Sequence, residues 1–210
     1  MAMPTNLVAP VGSVDRVSTR EPLEALTIRP ERPEDHDAVR RLVGDAFGGP
    51  RVPDLLDDLR AGDGWVDLSF VAEARTDGRA QVVGHVAYTR SVLDAPDRLR
   101  DVLVLSPLSV DPAWQRRGVG RRLVLDSLAA LGDRPEPLVL LEGSRAYYGR
   151  LGFVPAEPLG LRRPSLRIPP PAFQAWPLPA YDAAGGAATV RGTLVYHRTF
   201  WDHDCVGLRG

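Results

Sequence analysis

The stretch VDPAWQRRGVGRRL, residues 110–123, sets Gly118 and Gly120 among four arginines, directly ahead of a leucine-rich segment. Before it, DVLVLSPLSVDP reads as a strand that ends at Pro112; after it, Val119, Leu123, Val124, Leu128 and Leu131 mark one face of a helix that stops at Gly132. Two glycines at a strand-to-helix junction let backbone N–H groups turn toward an anion without Cβ obstruction. The helix adds about half a positive charge at its N-terminus, and Arg116, Arg117, Arg121 and Arg122 offer charge-assisted hydrogen bonds. A P-loop requires a lysine that this chain lacks altogether. A dinucleotide fingerprint requires a third glycine where Leu123 stands, and a place after the first strand of a βαβ unit rather than past the midpoint of the chain.

Outward from this loop the elements follow in order. LTIRP reads as a strand and PEDHDAVRRLVGDAF as a helix, with Pro33 at its first position and Val39, Leu42, Val43 and Phe47 at helical spacing. VPDLLDDLRAG predicts a second, shorter helix. LSFVAEARTDGRAQVVGHVAYTRSVL alternates about Asp77-Gly78, the signal of a hairpin. PLVLLEG is a continuous apolar run, as in a strand covered on both faces. SRAYYGRLG predicts a short helix with Ser144 at its N-cap and Gly152 just past its end. From Ala156 the chain becomes rich in proline and aromatics, and ATVRGTLVYHRTFW returns to strand character. The order predicts an α/β (α+β) fold with a central mixed sheet and helices on both faces. It divides into a leader over 1–25, a core over 26–155 and an extension over 156–210 packed on that core.

The 210 residues suffice for one well-buried core, and 44% hydrophobic with 25% charged residues is ordinary for a soluble globular protein. A net charge of −1 argues against a nucleic-acid binder. The lone Cys205 cannot form an internal disulfide, no apolar run approaches a membrane span, and the first 25 residues lack the layout of a signal peptide. Cytoplasm is the expected compartment. WDHDC near the C-terminus gathers ligand-type side chains without metal-site spacing, so no metal is expected.

The run Gln115-Arg116-Arg117-Gly118-Val119-Gly120, with Val110-Asp111-Pro112 ahead of it, resembles the acetyl-CoA pyrophosphate loop of the GNAT superfamily of N-acetyltransferases, Q/R-x-x-G-x-G/A. Tyr148 to Phe153 is similar to that family's Y-x-x-x-G-F helix, and IRPERPEDHDAVRRL to its first strand and helix. The resemblance covers about residues 26–155. It is closest to a bacterial branch with an AYYGRLGF segment and an aromatic, proline-rich tail.

The resemblance implies acetyl-CoA as cosubstrate and direct acetyl transfer to a small-molecule or peptide amine in a ternary complex. Gln115, Arg116, Arg117, Gly118, Val119, Gly120 and Arg121 would form the pyrophosphate site, with Ser144 nearby. Leu108, Ser109 and Val110 would pair with the pantetheine arm through main-chain atoms. GNAT sheets part at this place, and Pro107 cannot donate to a ladder, so a bulge is expected near Ser106–Leu108. Tyr148 is the expected proton donor to the CoA sulfur, while Tyr147 is expected to pack. Glu142 and His85 are candidate bases, beside a water chain with no single base. The tail is expected to add a strand and a lid over the acceptor site, or part of a homodimer interface. A rival expectation is a non-catalytic acyl-CoA sensor or interaction module with the same fold.

Overall fold

The computed structural model describes residues 26–207 apart from Asp77; the leader expected over 1–25 lies outside the described residues. Strand β1 (Leu26–Pro30) leads through a 3-10 turn at Pro33–Asp35 into helices α1 (His36–Phe47) and α2 (Arg51–Ala61). The long strands β2 (Trp65–Thr76), β3 (Arg79–Asp94) and β4 (Leu99–Val110) follow, then α3 (Val119–Ala129), β5 (Leu138–Glu142) and the short α4 (Arg145–Tyr148). The remainder forms β6 (Val154–Pro155), β7 (Leu161–Arg162), β8 (Phe173–Pro177), α5 (Ala180–Ala183), β9 (Gly192–Val195) and α6 (Arg198–Asp202).

One mixed sheet runs in the order β1-β2-β3-β4-β5-β8-β6, with β9 pairing both β3 and β7. β1 to β4 are antiparallel, and β5 joins β4 in parallel. The residues after Ala156 build into this sheet. β8 sits between β5 and β6, and β9 extends the far end of β3. The proline-rich AFQAWPLP thus supplies a strand, with Pro177 at its terminus where a missing N–H costs least.

Alternation assigns the strand side chains to two cores. Val102, Val104, Leu138 and Leu140 face α1, α2 and the tail, together with Val39, Val43, Leu55 and Leu56. Leu103, Leu105, Val139 and Leu141 face α3, together with Leu123, Val124 and Leu128. Helices therefore cover both faces, as the apolar run PLVLLEG requires.

The β4–β5 ladder is short: only Leu103↔Val139 and Val104↔Leu140 pair. Immediately beyond, Val86 opposes Leu108 while Tyr88 opposes Leu105, so β4 carries the extra residue of a bulge at Ser106-Pro107, whose peptide bond is cis. The expected bulge is there. With Pro107 lacking an N–H and the register broken, β4 and β5 part and leave an edge of β4 open inside the sheet.

β9 approaches β3 at Gly192, where φ is 145° and a Cβ would lie 2.0 Å from the Asp94 carbonyl oxygen. Gly192→Ala should therefore lift β9 from β3 and destabilise the fold by roughly 1–3 kcal/mol in a denaturant-unfolding measurement.

Candidate active site

The open edge of β4 has a fixed polarity. Asp111 N–H donates to the Val83 carbonyl, and Ser109 opposes His85 two residues earlier. Backbone groups alternate sides along a strand, so Ser109 spends its main chain on β3, whereas those of Leu108 and Val110 face the gap. Ser109 was expected to offer its main chain to the pantetheine arm with its two neighbours; this alternation removes it from that role.

Past Val110 the loop is braced from within. Asp111 Oδ1 accepts from Ala113 N at 2.8 Å, and Gln115 Nε2 donates to the Val110 carbonyl at 3.2 Å. Gln115 therefore works here on the loop's own closure. Arg116 and Gly118 both have positive φ, 60° and 85°, and such residues turn successive amides toward one concave side. α3 starts directly after, and its first-turn amides have no acceptor within the helix; Arg122 is the first residue to donate back, to the Gly118 carbonyl. Arg116 and Arg121 are exposed beside these amides, and Arg117 lies 5.2 Å over the Trp114 ring. Arg122 turns away, donating to the Leu26 carbonyl at 3.0 Å. The loop thus offers amides, a helix N-terminus and guanidinium charge to an anion. Gly120 is needed for space: a Cβ there would sit 2.7 Å from the Tyr147 hydroxyl.

The tyrosine helix closes the α3 side of the gap. Ser144 occupies the N-cap position of α4 and its carbonyl accepts from the Tyr147 and Tyr148 amides, but its hydroxyl makes no cap and is exposed. Tyr148 is buried among Leu141, Phe153 and Tyr147, its ring edge-on to the latter two at 5.4 and 5.0 Å. Burial, then the neighbouring Tyr147 and Tyr88, push its phenol well above the usual range, so Tyr148 keeps its proton at neutral pH. Gly152, at φ 112°, lets the chain turn under the Trp176 ring of β8, 2.7 Å from where a Cβ would stand. The tail thereby fixes the tyrosine helix.

Glu142 ends β5 on the opposite face, beside the α1, α2 and tail core. Its Oε2 accepts from Gly207 N at 3.1 Å, and Tyr196 hydrogen-bonds the same carboxyl. Burial raises its pKa to about 7, against the lowering effect of those two donors. Oε1 is buried without a partner. Tyr148 and Glu142 thus flank the parted strands from the two sides of the sheet.

His85 lies elsewhere on the Glu142 face, fully buried on β3. Its Nε2 is 2.9 Å from Ser69 Oγ and 3.3 Å from Glu31 Oε2, and Glu31 also binds Arg60. Ser69 donates its hydroxyl hydrogen to Glu31, so it accepts from His85; Nε2 carries the imidazole proton and Nδ1 is a bare lone pair. Burial lowers the His85 pKa against the pull of Glu31, so the ring is neutral. Burial alone would raise the Glu31 pKa, but the His85 and Ser69 hydrogen bonds and the Arg60 charge hold it at about 2. This network was not anticipated from sequence. Its signal was present in HVAYT, where polar His85 and Thr89 alternate in phase with Ala87 against Val86 and Tyr88. Among the described residues no group of His, Cys, Asp and Glu is arranged to hold a metal ion, and no helix is long and apolar enough to cross a membrane.

A family model for the acetyltransferase (GNAT) domain matches residues 27–156. The uncharacterized N-acetyltransferase YhbS of Escherichia coli K12 is 34% identical over 177 residues, spanning 83% of this chain and 98% of YhbS. The crystal structure of YhbS from Escherichia coli in complex with CoA matches with a TM-score of 0.74 and 28% identity, covering 91% of this chain and 100% of that one. A GNAT family acetyltransferase from Brucella melitensis in complex with acetyl-CoA matches with a TM-score of 0.61 and 29% identity, over 83% of this chain and 97% of that one. The parted sheet, the glycine-arginine loop and the tyrosine helix are therefore those of a family member: this chain belongs to the GNAT family and is an N-acetyltransferase.

Proposed function

We propose that the protein transfers an acetyl group from acetyl-CoA directly to an amine within a ternary complex, without a covalent enzyme intermediate. The observation that carries this reading is the pair of ionisable groups on opposite faces of the gap: a phenol that keeps its proton and a carboxyl poised near neutrality. A thioester lying along the open edge of β4 would meet an amine from the Glu142 side and have its sulfur on the Tyr148 side.

Each residue then has a separate task. The amides of Arg116 to Arg121 and the N-terminus of α3 hold the diphosphate of the cosubstrate, with Arg116 and Arg121 adding charge. The main chains of Leu108 and Val110 take the pantetheine amides, and an N–H from this pair stabilises the oxyanion that develops on the thioester carbonyl. Glu142 Oε1 accepts the proton the amine loses on attack. Tyr148 gives its proton to the departing sulfur, whose thiol form has an ordinary pKa of ~8.5. His85, sealed under α1 with its Nε2 committed to Ser69 and Glu31, does not serve as the base in this scheme. The buried, unpaired thiol of Cys205 is consistent with a reducing compartment, and we assign the enzyme to the cytoplasm.

Three measurements test the scheme, two by following thiol release from acetyl-CoA across a panel of primary amines and one by calorimetric binding of acetyl-CoA. Tyr148→Phe should lower kcat roughly 10²–10⁴-fold while acetyl-CoA affinity stays within twofold; undiminished turnover would remove Tyr148 from the chemistry. A wild type that binds acetyl-CoA yet releases no thiol with any amine would instead favour the sensor.

Glu142 must be ionised to accept a proton, and burial holds it protonated below about pH 7. Accordingly kcat/KM should rise through about pH 7, and Glu142→Gln should abolish that limb and lower kcat roughly 10²-fold. A limb that survives the substitution would assign the base elsewhere.

Gly120→Ala would set a methyl against the Tyr147 hydroxyl, and should weaken acetyl-CoA binding roughly tenfold, or about 1.4 kcal/mol. Adding Tyr147→Phe, which deletes the obstructing oxygen, should recover most of that loss in a calorimetric titration.

A further inference from the structure

The Glu142 face of the sheet carries an unusual concentration of polar atoms that nothing satisfies. Thr89 Oγ1, His85 Nδ1, Ser106 Oγ, Ser109 Oγ and Glu142 Oε1 are all buried and have no hydrogen-bond partner among the described residues, and none of the five residues is more than 8% exposed. They share one face. On β3, Val86 and Tyr88 belong to the α3 core, so His85, Ala87 and Thr89 point the other way. On β4, Val104 marks the α1 side before the bulge and Leu108 the α3 side after it, which turns Ser106 and Ser109 toward α1. On β5, Leu138 and Leu140 carry Glu142 to the same side.

The register brings them together. Ser109 opposes His85, Thr89 opposes Val104, and Val104 pairs with Leu140, two residues before Glu142. On that face Ser106 and Glu142 lie near the level of Ala87, the His85–Ser109 pair two residues to one side and Thr89 two residues to the other, beneath α1, which packs on β3 and β4. Each buried polar atom left unpaired costs on the order of 1–3 kcal/mol, and five of them on adjoining strands mark a place built to meet hydrogen-bonding groups other than its own. Their chemistry is mixed in a definite way. His85 Nδ1 and ionised Glu142 Oε1 only accept, while the three hydroxyls both donate and accept. Glu31 and Ser69, by fixing the His85 proton on Nε2, keep Nδ1 an acceptor.

We propose that this set of groups is the acceptor subsite and that it selects a small hydroxylated primary amine over alkylamines and over protein or peptide amines. The inference rests on the acetyltransferase reading above and specifies its acceptor. The amine is held at Glu142, next to the gap, and a hydroxyl on the same molecule reaches the β3 side, where Thr89 lies to one side of Ala87 and the Ser109–His85 pair to the other. β3 and β5 lie two strand spacings apart where β4 and β5 are paired, about 10 Å, and somewhat further where they part, a span that a short carbon chain and its hydrogen bonds bridge. A polypeptide acceptor would have to bring a whole backbone through the gap to groups lying beneath α1 and the C-terminal tail, where a small molecule needs only the width of the gap. An alkylamine would strand the hydroxyls and the imidazole, and a site built to bond a substrate hydroxyl discriminates strongly against the analogue lacking it.

The test uses the full-length enzyme, acetyl-CoA and three amines: 4-amino-1-butanol, n-pentylamine, which has a methyl where the alcohol has its hydroxyl, and a lysine-containing peptide. Thiol release should favour 4-amino-1-butanol over n-pentylamine at least tenfold in kcat/KM, with the peptide poorest. Thr89→Val, which exchanges a hydroxyl for a methyl at constant shape, should reduce the ratio between the two small amines five- to tenfold. Ser106→Ala should act in the same direction and stands in if the first variant folds poorly. Preference for n-pentylamine or for the peptide, or an unchanged ratio in both variants, overturns the acceptor assignment and leaves the transferase intact. Absence of thiol release with every amine overturns the transferase reading. In that case calorimetric binding of 4-amino-1-butanol to the CoA-loaded protein decides the subsite alone: binding weakened by Thr89→Val sustains it, and no binding ends it.

Discussion

The structure turns on the parting of β4 and β5. Two parallel strands start a ladder at Leu103 and Val104, and at Ser106-Pro107 the ladder cannot go on. A proline contributes no N–H, and the bulge shifts the register against β3 by one residue. A strand edge is thereby exposed inside the sheet, where neighbours would normally cover it. The main chains of Leu108 and Val110 face that opening, the glycine-arginine loop lies at its end, and Tyr148 and Glu142 stand on its two sides. Were the ladder continuous, the same side chains would be two unrelated core residues separated by a layer of backbone.

Keeping such a gap open requires support from elsewhere, and much of it comes from the end of the chain. β8 holds the far edge of β5 and lays Trp176 over Gly152, which seats the tyrosine helix. Gly207 and Tyr196 bind the Glu142 carboxyl. His197 and His203, flanking α6, reach Asp63 and Asp58 at 2.8 and 2.7 Å and tie the tail to the α2 region. On the other flank, the chain from Arg60 through Glu31 to Ser69 and His85 joins α2, β2, β3 and the residue after β1 by polar contacts. Each buried charge in it has a partner, as desolvation demands. The orientation of His85 is set by that network rather than by packing alone.

Much of this was legible in the residues. Helical spacing placed α1 and α3, the Asp77-Gly78 dipeptide signalled the break between β2 and β3, and Pro107 located the bulge, because each rests on local physics: apolar periodicity, turn chemistry and a missing donor. The direction of a peptide group was not legible. Whether Ser109 or its neighbours faced the gap depended on which of two alternating sets paired with β3, and a one-residue difference in register inverts the answer. Nor did the aromatic, proline-rich AFQAWPLP carry a strand period, since β8 is held by its partners on both sides rather than by an alternation of its own.

By itself the sequence determined the loop, the tyrosine and the order of elements that together mark an N-acetyltransferase, since those are short-range patterns of backbone freedom and charge. Only the tertiary structure decided that Glu142 sits near neutrality and that His85 is held as an acceptor. Only there do the hydroxyls of Thr89, Ser106 and Ser109 come to one face of the sheet. Those properties arise from burial and from contacts between strands distant in the chain, and no local pattern of residues fixes how far a carboxyl is removed from water or which groups it meets there.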